Sequence, residues 1–187
     1  MEGGVKMKAL FIVDLQNDFL PNGALPTPKG DIIIPVINKL MEKFEFVFAS
    51  KDWHPENSIH FEKWPEHCIQ GTQGAEFPKE LNTKKINKIF LKGTEDKDDG
   101  YSAFEATNEN LAEFLRANNI DELYVTGLTA EYCVKQTVLD ALRNGFKTYV
   151  IKDGVEAIHQ HPNDFEDALK EMENAGAIIV TSDDIKD

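Results

Sequence analysis

The chain reads as an α/β domain: a doubly wound, six-stranded and mainly parallel sheet with helices on both faces. Two observations predict this. Short runs of consecutive apolar residues recur along the chain, as in strands that are covered on both faces. Amphipathic, helix-like segments separate most of these runs, as in a parallel sheet built from crossover connections.

Taken in order, Ala9-Leu10-Phe11-Ile12-Val13 is the first continuous apolar run. Residues 31–44 carry Ile33, Ile34, Ile37, Leu40 and Met41 at helical spacing, and Pro35 is tolerable in a first turn. A second strand is predicted at 46–49, followed by a long loop over 51–77 and a third strand at 89–91. A loop bearing Asp96, Asp98, Asp99 and Gly100 leads to a helix over 108–118 and a strand over 123–126. The spacing then predicts a helix over 132–144 that Gly145 stops, a strand over 148–151, a helix over 162–175 closed by Gly176, and a last strand at 178–180. Without repeats or a composition break, residues 1–187 are expected to form one domain, with 1–7 as a flexible extension and Met7 as an alternative start.

Composition narrows the function. With 33 acidic against 20 basic residues the formal net charge is −13, which disfavours binding to nucleic acid or to an anionic membrane. Two cysteines, Cys68 and Cys133, are too few for a disulfide framework, and no signal peptide or membrane span is evident. A reducing cytoplasm is therefore expected. The oligomeric state is left open, a homo-oligomer included.

In a sheet of this kind, ligands bind beyond the carboxyl ends of the strands. Asp14, Asp52 and Lys92 follow the first three strands, and Cys133 lies just past the fourth, so separate loops converge on one rim. Between 52 and 68 the chain places His54, His60 and His67 near Asp52. Imidazole and carboxylate donors suit Zn²⁺, Fe²⁺ or Mn²⁺; the alternative is a polar loop with solvated histidines. Cys133 sits where a strand turns into a helix, a position that favours thiolate and offers free N–H groups to an oxyanion. Its alternative is a small buried hydrophobe. Asp14 is either a proton shuttle or a cap, and Lys92 either offsets developing charge or is solvated. Cys68, His159 and His161 lack such settings.

These residues resemble a known family. Asp14, Lys92 and Cys133 match the catalytic triad of the isochorismatase-like cysteine hydrolases, with Val-Asp-Leu-Gln-Asn-Asp-Phe at 13–19 and Thr-Gly-Leu-Thr-Ala-Glu-Tyr-Cys-Val at 126–134. Asp-Trp-His-Pro at 52–55 and Trp-Pro-Glu-His-Cys-Ile-Gln-Gly-Thr at 64–72 resemble the nicotinamidases (pyrazinamidases) within it. The resemblance implies hydrolysis of nicotinamide, and of pyrazinamide, through a cysteine thioester, a step in NAD salvage. It also implies a divalent metal, Zn²⁺ or alternatively Fe²⁺ or Mn²⁺, on Asp52, His54 and His67. His60 is a variable fourth ligand. An oxyanion hole from the Thr129 and Cys133 amides is implied, with a cis peptide between Leu128 and Thr129. Phe19 and Trp64, assisted by Tyr101, would flank the substrate ring. The acidic run at 95–99 departs from the family pattern beside the expected pocket mouth. Two rivals remain: an amidase for carbamoyl or ureido substrates, and a non-catalytic metal-binding protein on the same fold.

Overall fold

The computed structural model describes residues 7–186. Of the extension expected over 1–7, residues 1–6 lie outside the described residues, whereas Met7 is the first residue of a strand. The strands are β1 (Met7–Val13), β2 (Phe46–Asp52), β3 (Lys88–Lys92), β4 (Ile120–Leu128), β5 (Lys147–Glu156) and β6 (Ile178–Val180). The helices are α1 (Ile33–Met41), α2 (Leu111–Ala117), α3 (Lys135–Arg143) and α4 (Asp164–Asn174). The sheet order is β3-β2-β1-β4-β5-β6, and every neighbouring pair is parallel, so the sheet is fully rather than mainly parallel.

β1 divides the core. Ala9, Phe11 and Val13 face one hydrophobic cluster with the buried residues of α2, α3 and α4, while Leu10 and Ile12 face the other with those of α1. All five are fully buried, which is why the run contains no polar residue.

Several elements end elsewhere than apolarity suggests. The α1 hydrogen-bond ladder stops at Met41, yet Phe44 stays buried because a turn folds it back onto the core. Burial periodicity therefore outlasts the helix. β2 continues through Ser50, Lys51 and Asp52 because β3 still pairs with it, Asp52 standing opposite Lys92. β5 likewise reaches Glu156 after a register shift that pairs Leu128 with Glu156. The helix predicted over 132–144 begins as a π-helical turn, Ala130–Val134, before α3.

The strand order reverses between β1 and β4, which opens a crevice beyond their carboxyl ends. The two strands come very close there. Gly127 stands at φ +115°, and a Cβ on it would overlap the backbone of Val13.

Candidate active site

Four strand ends deliver the titratable groups to this crevice. Asp14 follows β1 in a left-handed conformation, φ +48°, with its N–H donating to the Ser50 carbonyl at 3.1 Å. Asp is one of the few side chains that tolerate that region. Asp52 and Lys92 close β2 and β3 as register partners. Cys133 lies in the π-helical turn after β4, and the Leu128–Thr129 peptide before that turn is cis.

Lys92 is fully buried, unlike an ordinary solvated lysine. Its ammonium lies 2.7 Å from Asp14 Oδ2 and 2.5 Å from Asp52 Oδ1, donates to the Gly100 carbonyl, and stands 3.5 Å from Cys133 Sγ. Burial opposes a charge at Lys92, but Asp14 and Asp52 outweigh it and hold the ammonium well above its usual pKa. Burial also works against ionisation of Asp52, but Lys92 prevails and keeps that carboxyl well below its usual range. At Asp14 burial wins against Lys92 and lifts the carboxyl to about 6. Asp14 is thus ionised at neutral pH yet basic enough to accept a proton.

Cys133 departs from the thiolate expected of a helix start. Burial, only partly offset by Lys92, pushes its thiol well above the ordinary value. The resting sulfur is therefore protonated, with Asp14 beside it: one ligand atom each from Asp14, Asp52 and Cys133 lie within 4.8 Å of one another. Cys68 is also buried and raised, first by burial, but its N–H donates to Asp18 Oδ2 at 2.8 Å and it takes no part in this cluster.

His54, His60 and His67 are buried, and one nitrogen of each lies within 4.8 Å of the others. Every Nδ1 has a partner: the Gly93 carbonyl for His54 at 3.0 Å, Asp98 Oδ1 for His60 at 2.9 Å, and the Pro65 carbonyl for His67 at 2.7 Å. Those acceptors place the ring proton on Nδ1 and leave Nε2 as a lone pair. Nε2 of His54 and of His67 lie 3.5 and 3.6 Å from Asp52 Oδ2, the oxygen not engaged by Lys92. The Nε2 of His54 is buried without a hydrogen-bond partner. A buried lone pair facing a carboxylate is costly unless a cation lies between them, so this donor set fits a divalent metal.

The pocket walls are aromatic. Phe19, Trp64, Tyr101 and Tyr132 line a small cavity that opens to solvent, together with Asp52, His60, His67, Thr129 and Cys133. All three residues expected to flank a substrate ring are thus present. Tyr132, Leu25 and Ile158 line the cavity as well and were not singled out in the sequence, although Tyr132 adjoins Cys133. His159 and His161 are exposed.

Two supporting residues also escape sequence reasoning. Ser50 Oγ donates to Asp14 Oδ1 at 2.7 Å. Gln16 donates to the carbonyls of Asp52 and Ala75 and accepts the Asp52 N–H, pinning the end of β2. Both look like ordinary strand-end polar residues, and only the register reveals what they hold.

An isochorismatase domain matches residues 8–184. The chain is 40% identical over 201 residues to the nicotinamidase of Escherichia coli strain K12, a match covering 93% of this chain and 94% of that one. It is 37% identical over 189 residues to the nicotinamidase/pyrazinamidase of Mycobacterium tuberculosis strain H37Rv, covering 94% and 100%. Among solved structures, the pyrazinamidase of Pyrococcus horikoshii in complex with zinc superimposes with a TM-score of 0.83 at 44% identity, covering 94% of this chain and 99% of that one.

Proposed function

The chain belongs to the isochorismatase family, and we infer that it is a nicotinamidase, hydrolysing nicotinamide to nicotinate and ammonia and so serving NAD salvage. One observation carries the reading: Cys133, backed by the buried Asp14 and Lys92, and His60 and His67, which cluster with His54, line one aromatic-walled cavity. The first supplies acyl-transfer chemistry, and the second accounts for an amide carried on a ring with its own donor nitrogen. A reducing cytoplasm suits an enzyme whose nucleophile is a free thiol.

In the proposed reaction, Asp14 takes the proton of Cys133 and the thiolate attacks the amide carbonyl, with Lys92 beside the sulfur to offset the new charge. The oxyanion is held by the amides of Thr129 and Cys133, both in the cavity wall. Asp14 returns the proton to the departing ammonia, leaving a thioester. It then takes a proton from the water that attacks the thioester and passes it to the departing Cys133 sulfur, which restores the thiol and the Asp14 carboxylate. The nicotinic acid released loses its proton to solvent as nicotinate. Asp52, His54, His60 and His67 would hold a divalent metal, for which Zn²⁺ is the proposed ion. When bound, it supplies a Lewis-acid position for the ring nitrogen, orienting the carboxamide toward Cys133.

The test combines metal analysis of the pure protein with ammonia release. Nicotinamide and pyrazinamide should turn over, while benzamide, which has the amide but no ring nitrogen, should be poor. Cys133→Ala should abolish turnover, whereas Cys68→Ala should retain most of it. Equal rates on benzamide and nicotinamide would remove the metal from substrate recognition, and an active Cys133→Ala would reassign the nucleophile.

A further inference from the structure

Residues 95–98 of the acidic run are exposed, yet two of its carboxylates bond to the neighbouring segment that carries His60. Asp96 Oδ1 accepts the Ile59 N–H at 2.7 Å, so the run is hydrogen-bonded to the start of the turn that carries His60. Asp98 goes further. Its Oδ1 accepts from His60 Nδ1 and from the Tyr101 hydroxyl, each at 2.9 Å, while its Oδ2 lies 2.7 Å from Lys63 Nζ. The Tyr101 oxygen in turn accepts the Trp64 Nε1–H at 3.1 Å.

The three histidines are not held alike. Backbone carbonyls fix His54 and His67, and a backbone acceptor is present whatever the side chains are. His60 alone relies on a carboxylate from another segment. Its ring stacks on His54 with centroids 4.4 Å apart, so any rotation of His60 disturbs the cluster.

We propose that Asp98 is a positioning residue for the metal centre, fixing His60 with Nε2 toward the ion and tying that ligand, through Tyr101, to the Trp64 wall of the pocket. The inference rests on the metal-dependent nicotinamidase reading. It assigns the acidic run a role in the site: one carboxylate oxygen serves both a metal ligand and the aromatic wall. A carboxylate on Nδ1 sets the ring orientation and makes the other nitrogen a better donor, and loss of such a partner typically lowers metal affinity ~10–100-fold.

The test uses the full-length enzyme, stripped and reloaded, with Zn²⁺ affinity measured by competition against a chromophoric chelator. The visible spectrum of the Co²⁺-loaded form is recorded beside it. Asp98→Ala should weaken Zn²⁺ binding ~10–100-fold and change the Co²⁺ spectrum, with the thermal midpoint of the metal-free protein unchanged. Asp98→Asn, which keeps the shape, should fall in between and covers the case of an unstable alanine variant. Lys63→Ala, which removes the ion pair but neither Oδ1 bond, should bind Zn²⁺ as the wild type does. In a His60→Ala background the Asp98→Ala effect should vanish, because the two act through one ligand. Undiminished Zn²⁺ affinity in Asp98→Ala, or an effect that persists in full without His60, overturns the proposal while leaving the metal site intact. A wild type that takes up no stoichiometric divalent metal overturns the metal reading itself, and this inference with it.

Discussion

Ser50 and Lys92 act on Asp14 from opposite sides, and together they set the pH at which it can accept a proton. Burial holds its carboxyl up, while the Lys92 ammonium and the Ser50 hydroxyl pull it down, leaving it at about 6. As pH falls through that value Asp14 becomes protonated and cannot take the thiol proton, so kcat/KM should fall on the acid side with a midpoint near 6. The Ser50 hydrogen bond, 2.7 Å long, stabilises the ionised form more than the protonated one. The protonated carboxyl keeps part of that bond, and Ser50 acts more weakly on Asp14 than burial or Lys92, so Ser50→Ala should move the acid limb upward by about one pH unit or less. Activity well above the new midpoint should largely survive. A pH profile of kcat/KM for the two proteins checks this, and an unmoved limb would mean that the limb belongs to a group other than Asp14.

At the scale of elements, the strand-end loops are set by close contacts that leave little room for change. Gly93 follows β3 at φ +66°, and a Cβ on it would stand 2.5 Å from His54 Cε1. Its carbonyl is also the acceptor that orients the His54 ring. Gly93→Ala should therefore shift either the turn or the imidazole and weaken metal binding ~10–100-fold, a loss read directly by Zn²⁺ competition. An alanine variant with wild-type affinity would show that the turn yields without moving His54. That Asp14, Asp52, Lys92 and Cys133 converge was legible in the sequence, because apolar runs locate strands and each of these residues sits just past one. The support around them was not. Ser50 and Gln16 act through register, which no single segment displays. Asp98 hides in a charge run that composition reads as solvated, and the protonated state of Cys133 depends on a depth of burial that a helix-start argument omits.

For the whole molecule, the division of labour between sheet and loops decides what losing the metal would do. The two hydrophobic clusters lie on either face of the sheet and draw on its strands, the helices and some loop residues, without any of the four proposed ligands. A chain of 187 residues with such a core folds without a metal clip, unlike a small zinc domain. The ligands instead join the end of β2 to the segment carrying His54, His60 and His67, so metal binding should add to the stability of an already folded protein. A ligand at 100 times its Kd adds about 2.7 kcal/mol. In a domain of this size each kcal/mol raises Tm by roughly 2–4 °C. Chelation should therefore lower Tm by about 5–10 °C, leave the far-UV circular dichroism of the sheet and helices essentially unchanged at 25 °C, and abolish nicotinamide turnover until a divalent ion is restored. Loss of secondary structure at 25 °C on chelation would show that the metal holds the fold together. An unchanged Tm under conditions where the ion is demonstrably removed would show that the histidine cluster is not its site.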